Sequence, residues 1–125
     1  MLVLHHLNHS RSQRILWLLE ELHVDYKVTF YERDPVTIRA PKSLKAVHPL
    51  GKSPVITDGD ITVAESGAII EYLLETYDKN GSVNVGSDPQ DKRDERFWLH
   101  FAEGSLMTPL LIAMLFDKIK ESPMP

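Results

Sequence analysis

The sequence contains no cysteine among its 125 residues. This absence excludes disulfide-stabilised scaffolds, cysteine-ligated zinc and iron–sulfur sites, and any nucleophilic thiol supplied by the chain itself. The chain also has no excess of positive charge, since its net charge is −4. Nucleic acid and anionic membrane surfaces are therefore not favoured as partners. Any sulfur chemistry must come from a ligand.

Long apolar runs are also missing. No uninterrupted run approaches the roughly 18 residues that a membrane-spanning helix needs, and the N-terminus lacks the pattern of a secretion signal. We therefore expect a cytoplasmic protein with no membrane partner. With 42% hydrophobic residues, the chain can bury one core and begin a second.

The stretch from His48 to Ile70 is the part around which the other elements are arranged. Two short β-branched runs, 55–57 and 61–64, flank an Asp-Gly pair that is typical of a turn between antiparallel strands. After Ser66, apolar residues recur at helical spacing. The unpaired N–H groups at the start of this helix predict a binding site for a carboxylate or phosphate.

The segment before this hairpin predicts a βαβ unit. Leu2–Leu7 is apolar enough for a strand that is buried on both faces, as in a sheet with parallel neighbours. Apolar residues at helical spacing over 15–22 predict a helix packed on the sheet. Residues 24–30 predict the second, parallel strand.

Two polar features accompany the first strand and helix. His5, His6 and His9 suggest a metal site, but neighbouring strand residues point to opposite faces of a sheet, so we expect no metal. Ser10 and Gln13 fit the capping-box pattern, in which the two side chains bond the backbone at the start of a helix.

The remaining segments predict loops and a second helical region. Residues 31–53 predict a loop that contains one short helix, and residues 79–88 are polar and aperiodic, as is typical of a linker between domains. A new helix is expected to begin at Asp88-Pro89. Pro109 should kink or interrupt it, and its large apolar surface requires a partner.

Three segments, taken in order, resemble the N-terminal portion of a cytosolic glutathione transferase. They are HSRSQRILWLLEEL at 9–22, HPLGKSPVI at 48–56 and AESGAIIEYL at 64–73. The resemblance implies an α/β chain in which a thioredoxin-like βαβ-α-ββα domain over residues 1–78 precedes the linker. Residues 89–125 would then be the first helix of an all-α second domain.

The resemblance also implies a glutathione site. Ser53-Pro54 falls where the family has a cis proline, and the backbone of the preceding residue pairs there with the cysteinyl part of glutathione. Glu65 and Ser66 match the pair that holds the γ-glutamyl end, although helix capping is the alternative role. Lys52 resembles a cation for the glycyl carboxylate, with a solvated surface lysine as the alternative.

Ser10 lies where serine-type members of the family keep the hydroxyl that activates the thiol. That hydroxyl donates a hydrogen bond to the glutathione sulfur and favours the thiolate. Asn8, His9 and Ser12 are close enough to share or replace this role. A role of Ser10 in helix capping alone also stays open.

The implied function is glutathione transferase or peroxidase activity in detoxification. Glutathione would be the co-substrate, with no other cofactor, and a small electrophile or peroxide would be the second substrate. Members of the family carry several more helices, so we expect either a truncated chain or a homodimer in which helix 89–120 packs against its copy. The alternative is a non-catalytic binding or interaction module on the same fold.

Overall fold

The computed structural model describes residues 1–83 and 86–121, the last without its side chain. Contacts divide the chain into two compact units, Met1–Asn84 and Val85–Pro125.

The first unit is built on a four-stranded mixed sheet. Its strands are β1 (Leu2–Leu7), β2 (Tyr26–Tyr31), β3 (Val55–Asp58) and β4 (Ile61–Ala64). They lie in the order β2-β1-β3-β4. β1 is parallel to β2 and antiparallel to β3, and β3 is antiparallel to β4. This topology confirms the predicted βαβ unit and hairpin, and with them the thioredoxin-like fold.

Three helices accompany the sheet in the first unit. They are α1 (Ser12–Glu21), α2 (Leu44–Val47) and α3 (Ser66–Tyr77). The apolar stripes of α1 and α3 pack on one face of β1 and β3, because the spacing of three and four residues gathers their large side chains on one side of each helix. The resulting core consists of Leu2, Leu4, Ile15, Leu19, Ile56, Ile69 and Leu73.

The second strand begins later than the sequence predicts. The prediction of residues 24–30 is wrong at its start, because the Val24 N–H donates to the Leu19 carbonyl at 3.3 Å. The His23 N–H donates to the Glu20 carbonyl at 3.1 Å, and His23 has a φ of 51°. These two bonds form a Schellman motif that closes α1. Val24 therefore belongs to the helix cap and is unavailable to the strand.

The capping box predicted for Ser10 and Gln13 is not formed. The residue that caps α1 is Arg11, whose side chain makes no capping bond. The Ser10 Oγ atom accepts the Ser12 N–H at 3.2 Å, so the serine half of the prediction is confirmed. The reciprocal capping box with Gln13 is wrong, since the helix begins one residue later than the pattern requires.

The predicted linker begins as an ordered turn. The Asp78 carboxylate accepts the N–H and the hydroxyl of Ser82, at 2.7 and 2.8 Å, and the N–H of Val83 at 3.1 Å. Residues 84 and 85 lie outside the described residues. The domain boundaries drawn from the sequence stay a prediction.

The second unit is a continuous helical segment. It comprises α4 (Pro89–His100), a π-helical stretch (Phe101–Leu106) and α5 (Met107–Glu121). The Asp88 carboxylate accepts the Gln90 N–H at 2.6 Å and Pro89 is in the first turn, so the predicted helix start is confirmed. α5 continues through Pro109, so the helix is not interrupted there as predicted; the π-helical stretch that ends at Leu106 locally changes the hydrogen-bond spacing before it.

The helical segment Pro89–Lys120 is long and apolar enough to cross a membrane, judged by length and composition. The charged residues of this segment cluster at 91–96 and 117–120, and Glu103 with several small polar residues interrupts the apolar stretch between them. Core helices of soluble proteins share this length and composition, so the finding assigns no membrane. The exposed apolar side chains include Phe97, Trp98, Leu110, Leu111, Met114, Phe116 and Ile119.

Candidate functional site

Three chain segments meet at one end of the sheet in the first unit. His5 is opposite Val55 and Val55 is opposite Ala64. The end of β1, the start of β3 and the end of β4 therefore lie at the same end of the sheet. Ser10 follows β1, Ser53 precedes β3 and Ser66 follows β4. The sheet register therefore brings together three segments that the sequence singled out.

The Ser53–Pro54 peptide bond, just before β3 at this end of the sheet, is cis, as the resemblance implies. The Ser53 hydroxyl donates to the carbonyl of His5 at 2.8 Å, which fixes the segment against β1. Within residues 1–83 and 86–121, no hydrogen bond occupies the backbone N–H or carbonyl of Ser53. Both groups are available to an extended ligand that pairs as an added strand.

At the same end of the sheet, the first turn of α3 has backbone N–H groups that lack a partner within the helix. The carbonyl of Glu65 accepts the Ile69 N–H at 2.9 Å, so the three N–H groups before Ile69 have no partner within the helix. Ser66 is buried, with 4% of its surface exposed. A carboxylate placed here would be favoured both by these donors and by the helix dipole.

Glu65 has an unusual backbone conformation. Its φ is 76° and its ψ is 128°, and its side chain makes no capping bond in the described part of the chain. A non-glycine residue in this region costs about 1–3 kcal/mol. Side-chain capping by Glu65, the alternative considered from the sequence, is therefore wrong. The exposed carboxylate is free to face a cationic group beside the start of α3.

Ser10 belongs to a hydrogen-bonded chain of side chains. Its Oγ atom lies 2.7 Å from the Ser12 Oγ and 3.4 Å from the Ser53 Oγ. The Ser12 Oγ lies 2.8 Å from Nδ1 of His6. Ser12 has no exposed surface and His6 is 7% exposed, whereas Ser10 is half-buried. The hydroxyl of Ser10 is therefore more accessible to a ligand than that of Ser12.

The other residues considered for the thiol-activating role are placed differently. Asn8 and His9 are exposed, and their carbonyl oxygens both accept from the guanidinium of Arg33 at 2.9 Å. His9 also has a positive φ of 53°. Arg33 thereby holds the loop that carries Ser10. Arg33 could not be singled out from the sequence, because a bond to backbone carbonyls leaves no spacing pattern.

Lys52 lies beside the site with an exposed side chain. Among the described residues no carboxylate forms an ion pair with it, so it is available to an anion. Gly51 precedes it with a φ of 58°, and a Cβ atom at Gly51 would lie 2.7 Å from the Cγ of Lys45. The turn into the site therefore requires glycine.

The two adjacent histidines of β1 lie on opposite faces of the sheet, as predicted. The ring nitrogens of His5 lie 2.9 Å from the Tyr31 hydroxyl and 3.3 Å from the Thr57 hydroxyl. Burial lowers the pKa of His5 below its usual value of 6.5. His6 points towards Ser12 and packs edge-on against Phe30. Across the described ranges, no group of three or more histidine or acidic side chains could hold a metal ion.

Comparisons with known proteins agree with this geometry. A profile of the family described as "Glutathione S-transferase, N-terminal domain" matches residues 1–75. "Glutathione S-transferase 1" of Saccharomyces cerevisiae is 39% identical over 127 residues, which cover 97% of this chain and 53% of that protein. "Glutathione S-transferase 3" of Schizosaccharomyces pombe is 44% identical over 117 residues, which cover 94% of this chain and 47% of that protein.

A solved structure is similar along most of the chain. The crystal structure of a glutathione S-transferase from Actinobacillus pleuropneumoniae matches with a TM-score of 0.84 and 41% sequence identity. The match covers 94% of this chain and 54% of that one. The chain thus spans about half the length of the relatives it matches. By the family profile, these identities and the shared fold, the chain belongs to the glutathione S-transferase family.

Proposed function

We propose that the chain binds glutathione and activates its thiol for attack on an electrophilic carbon or a peroxide. The proposal depends mainly on one observation. Three features lie together at one end of the sheet: the Ser10 hydroxyl, the backbone N–H and carbonyl of Ser53, and the first N–H groups of the helix that begins at Ser66. Each of the three offers what a different part of the tripeptide needs.

The two ends of glutathione are charged, and the site has complementary groups for both. The γ-glutamyl carboxylate would accept from the N–H groups and hydroxyl at Ser66, and its ammonium would face the carboxylate of Glu65. The cysteinyl backbone would pair with Ser53 next to the cis Pro54. Lys52 would attract the glycyl carboxylate, with a small contribution because the lysine is exposed.

The Ser10 hydroxyl is proposed to donate its proton to the glutathione sulfur. A hydrogen bond to the charged form of a group favours that form, and the positive end of α1, which begins at Ser12, acts in the same direction. The thiolate is the nucleophilic form of the thiol. No other cofactor is needed for this chemistry.

Calorimetric titration with glutathione and an assay with a generic aryl halide test the proposal. We expect Ser66→Ala to weaken glutathione binding about tenfold or more, because it removes a hydrogen bond to a charged group worth about 1.5–3 kcal/mol. We expect Ser10→Ala to lower kcat about 100-fold with little change in glutathione affinity, as is typical of a lost donor to a reacting anion.

Ser43→Ala is the matched control, because Ser43 is exposed and makes no side-chain capping bond. It should leave both binding and turnover unchanged. Absence of binding at millimolar glutathione would refute the proposed function. Equal effects of the three substitutions would refute the residue roles.

A second candidate is a non-catalytic interaction module, favoured by the exposed apolar side chains of the second unit. It predicts association with a partner that does not require glutathione and survives Ser10→Ala. A homodimer through helix 89–120 is also proposed, since symmetric pairing would cover the same side chains. Sedimentation of the wild-type chain distinguishes a dimer from a monomer. Cytoplasmic location and a role in detoxification stay predictions.

A further inference from the structure

A buried chain of polar atoms leads from the imidazole of His6 to the hydroxyl of Ser10. Its two links are the 2.8 Å contact between His6 Nδ1 and Ser12 Oγ and the 2.7 Å contact between Ser12 Oγ and Ser10 Oγ. Both distances are short enough for well-formed hydrogen bonds. Because Ser12 is fully buried, solvent cannot substitute for either partner.

The number of available protons limits how these hydrogen bonds can be directed, since each hydroxyl has one proton to donate. The Ser53 hydroxyl gives its proton to the carbonyl of His5 at 2.8 Å, so towards Ser10 it can only accept. The Ser12 hydroxyl has His6 and Ser10 as close partners, and the Leu7 carbonyl lies farther away at 3.4 Å. The single hydroxyl proton of Ser12 can therefore be donated either to His6 or to Ser10, but not to both.

When the long contact from Ser12 to the Leu7 carbonyl at 3.4 Å is set aside, the three side chains have two self-consistent hydrogen-bond directions. If Nδ1 of His6 carries no proton, Ser12 donates to it, and Ser10 then donates its own proton inward to Ser12. If Nδ1 carries the ring proton, His6 donates to Ser12 and Ser12 donates to Ser10. Only in the second direction is the Ser10 proton released from Ser12; its remaining acceptor is the distant Ser53 Oγ at 3.4 Å, so a ligand can take that proton.

We propose that His6 is a positioning residue that directs the Ser10 proton to the glutathione sulfur through Ser12. This inference rests on the proposed function. In the glutathione complex, Nδ1 of the imidazole carries a proton, since a proton there completes the donor sequence from His6 to the sulfur. No bond is made or broken along this chain, and His6 does not touch the substrate.

The neighbouring histidine has a different setting. His5 lies on the opposite face and contacts Tyr31 and Thr57, so its ring takes no part in the chain that leads to Ser10. The arrangement of His6 and Ser12 also has no counterpart in the capping pattern, which concerns Ser10 and Gln13. The inference therefore rests on geometry that the sequence does not reveal.

Three variants of the full chain test the proposal. His6→Phe keeps a ring beside Phe30 but removes both nitrogens, Ser12→Ala removes the middle link, and His6→Asn places an amide donor at a distance along the side chain similar to Nδ1. We expect the first two to lower kcat about tenfold, the effect of one hydrogen bond, and to leave the KM for glutathione within about twofold. His6→Asn should restore most of the loss.

Two further readouts separate positioning from a purely structural role. The ultraviolet absorbance of bound glutathione thiolate at a fixed pH should fall in His6→Phe and Ser12→Ala and recover in His6→Asn. In the unaltered chain, nitrogen-15 NMR of the histidine ring should show the proton of His6 on Nδ1 when glutathione is bound. This last measurement needs no variant and so does not depend on variant folding.

The outcomes distinguish this inference from the proposed function. If glutathione binds, Ser10→Ala lowers turnover and the His6 ring proton is on Nε2 in the complex, the inference is overturned while the proposed function stands. A rise in KM that parallels the fall in kcat, with no rescue by His6→Asn, overturns it as well. If the chain binds no glutathione, the proposed function and this inference both fall.

Discussion

Tyr77→Phe is expected to destabilise the first unit through the loss of a hydrogen bond to a charged carboxylate. The Asp58 carboxylate accepts a short hydrogen bond from the hydroxyl of Tyr77 and a second one from Tyr72 at 3.0 Å. It also lies 3.7 Å from the N-terminal ammonium of Met1. The cluster joins the end of β3, the C-terminal half of α3 and the start of the chain.

The pKa values show the direction of this interaction. The Tyr77 bond holds the pKa of Asp58 below its usual 3.8, and the bond to Asp58, together with burial, raises the pKa of Tyr77 from 10.0 to about 12. A hydrogen bond to a charged group is worth about 1.5–3 kcal/mol. Because the cluster is partly open to solvent, screening reduces this figure, and we expect Tyr77→Phe to lower the free energy of unfolding by about 1–2 kcal/mol.

The pH dependence of this loss has a definite sign. Because the folded-state pKa of Asp58 is depressed, its contribution is fully present above the unfolded pKa and is lost as the pH falls through the folded pKa. The pKa of Tyr77 is raised, so its contribution is present below pH 10.0 and disappears as the pH rises through about 12. The difference between wild type and variant should thus be constant near neutrality and shrink in acid.

Urea unfolding followed by circular dichroism measures this difference at neutral pH and at about pH 3. Tyr72→Phe is the matched control, because it removes the longer bond to the same carboxylate and should cost less. A Tyr77→Phe loss below about 0.3 kcal/mol at neutral pH, or a loss that grows in acid, would show that the cluster does not stabilise the fold as described.

Substitutions at three other positions should change stability in ways that thermal or urea unfolding can measure. His23→Gly should raise the free energy of unfolding by about 1 kcal/mol, since glycine relieves the left-handed conformation at the end of α1; an unchanged or lower melting temperature would contradict this. Glu65→Gly should be about 1 kcal/mol more stable than Glu65→Ala because only glycine removes the strain; the reverse order would exclude strain there. Leu19→Ala should cost about 2–5 kcal/mol because the side chain is fully buried; a cost below about 1 kcal/mol would contradict its place in the core.

The sequence predicts the fold well where periodicity and turn chemistry agree. The hairpin with its Asp-Gly turn, the helix from Ser66 and the helix start at Asp88-Pro89 all appear where the residues indicate them. The boundary errors have local causes. The N–H of Val24 bonds the end of α1, and the side chain of Ser10 bonds Ser12, because local hydrogen bonds at helix ends compete with strand pairing and with the capping box for the same polar groups.

Parts of the candidate site could not be predicted because they depend on contacts between distant residues. The burial of Ser12 against His6 follows from how α1 packs on β1, and the bonds from Arg33 to the loop at Asn8 and His9 require β2 to lie beside β1. The role of Asp58 was also missed, since its position in a turn suggests an exposed side chain. In each case the sequence shows the residue types but not the partners.

The most direct test of the account is a two-dimensional NMR titration of the nitrogen-15-labelled chain with glutathione. The backbone amides of Ser53 and Ser66 should show the largest chemical-shift changes, and Ser66→Ala should weaken the fitted affinity about tenfold. If the chemical shifts of these two amides do not change at saturating glutathione, or if shift changes are confined to α5, there is no glutathione site at this end of the sheet.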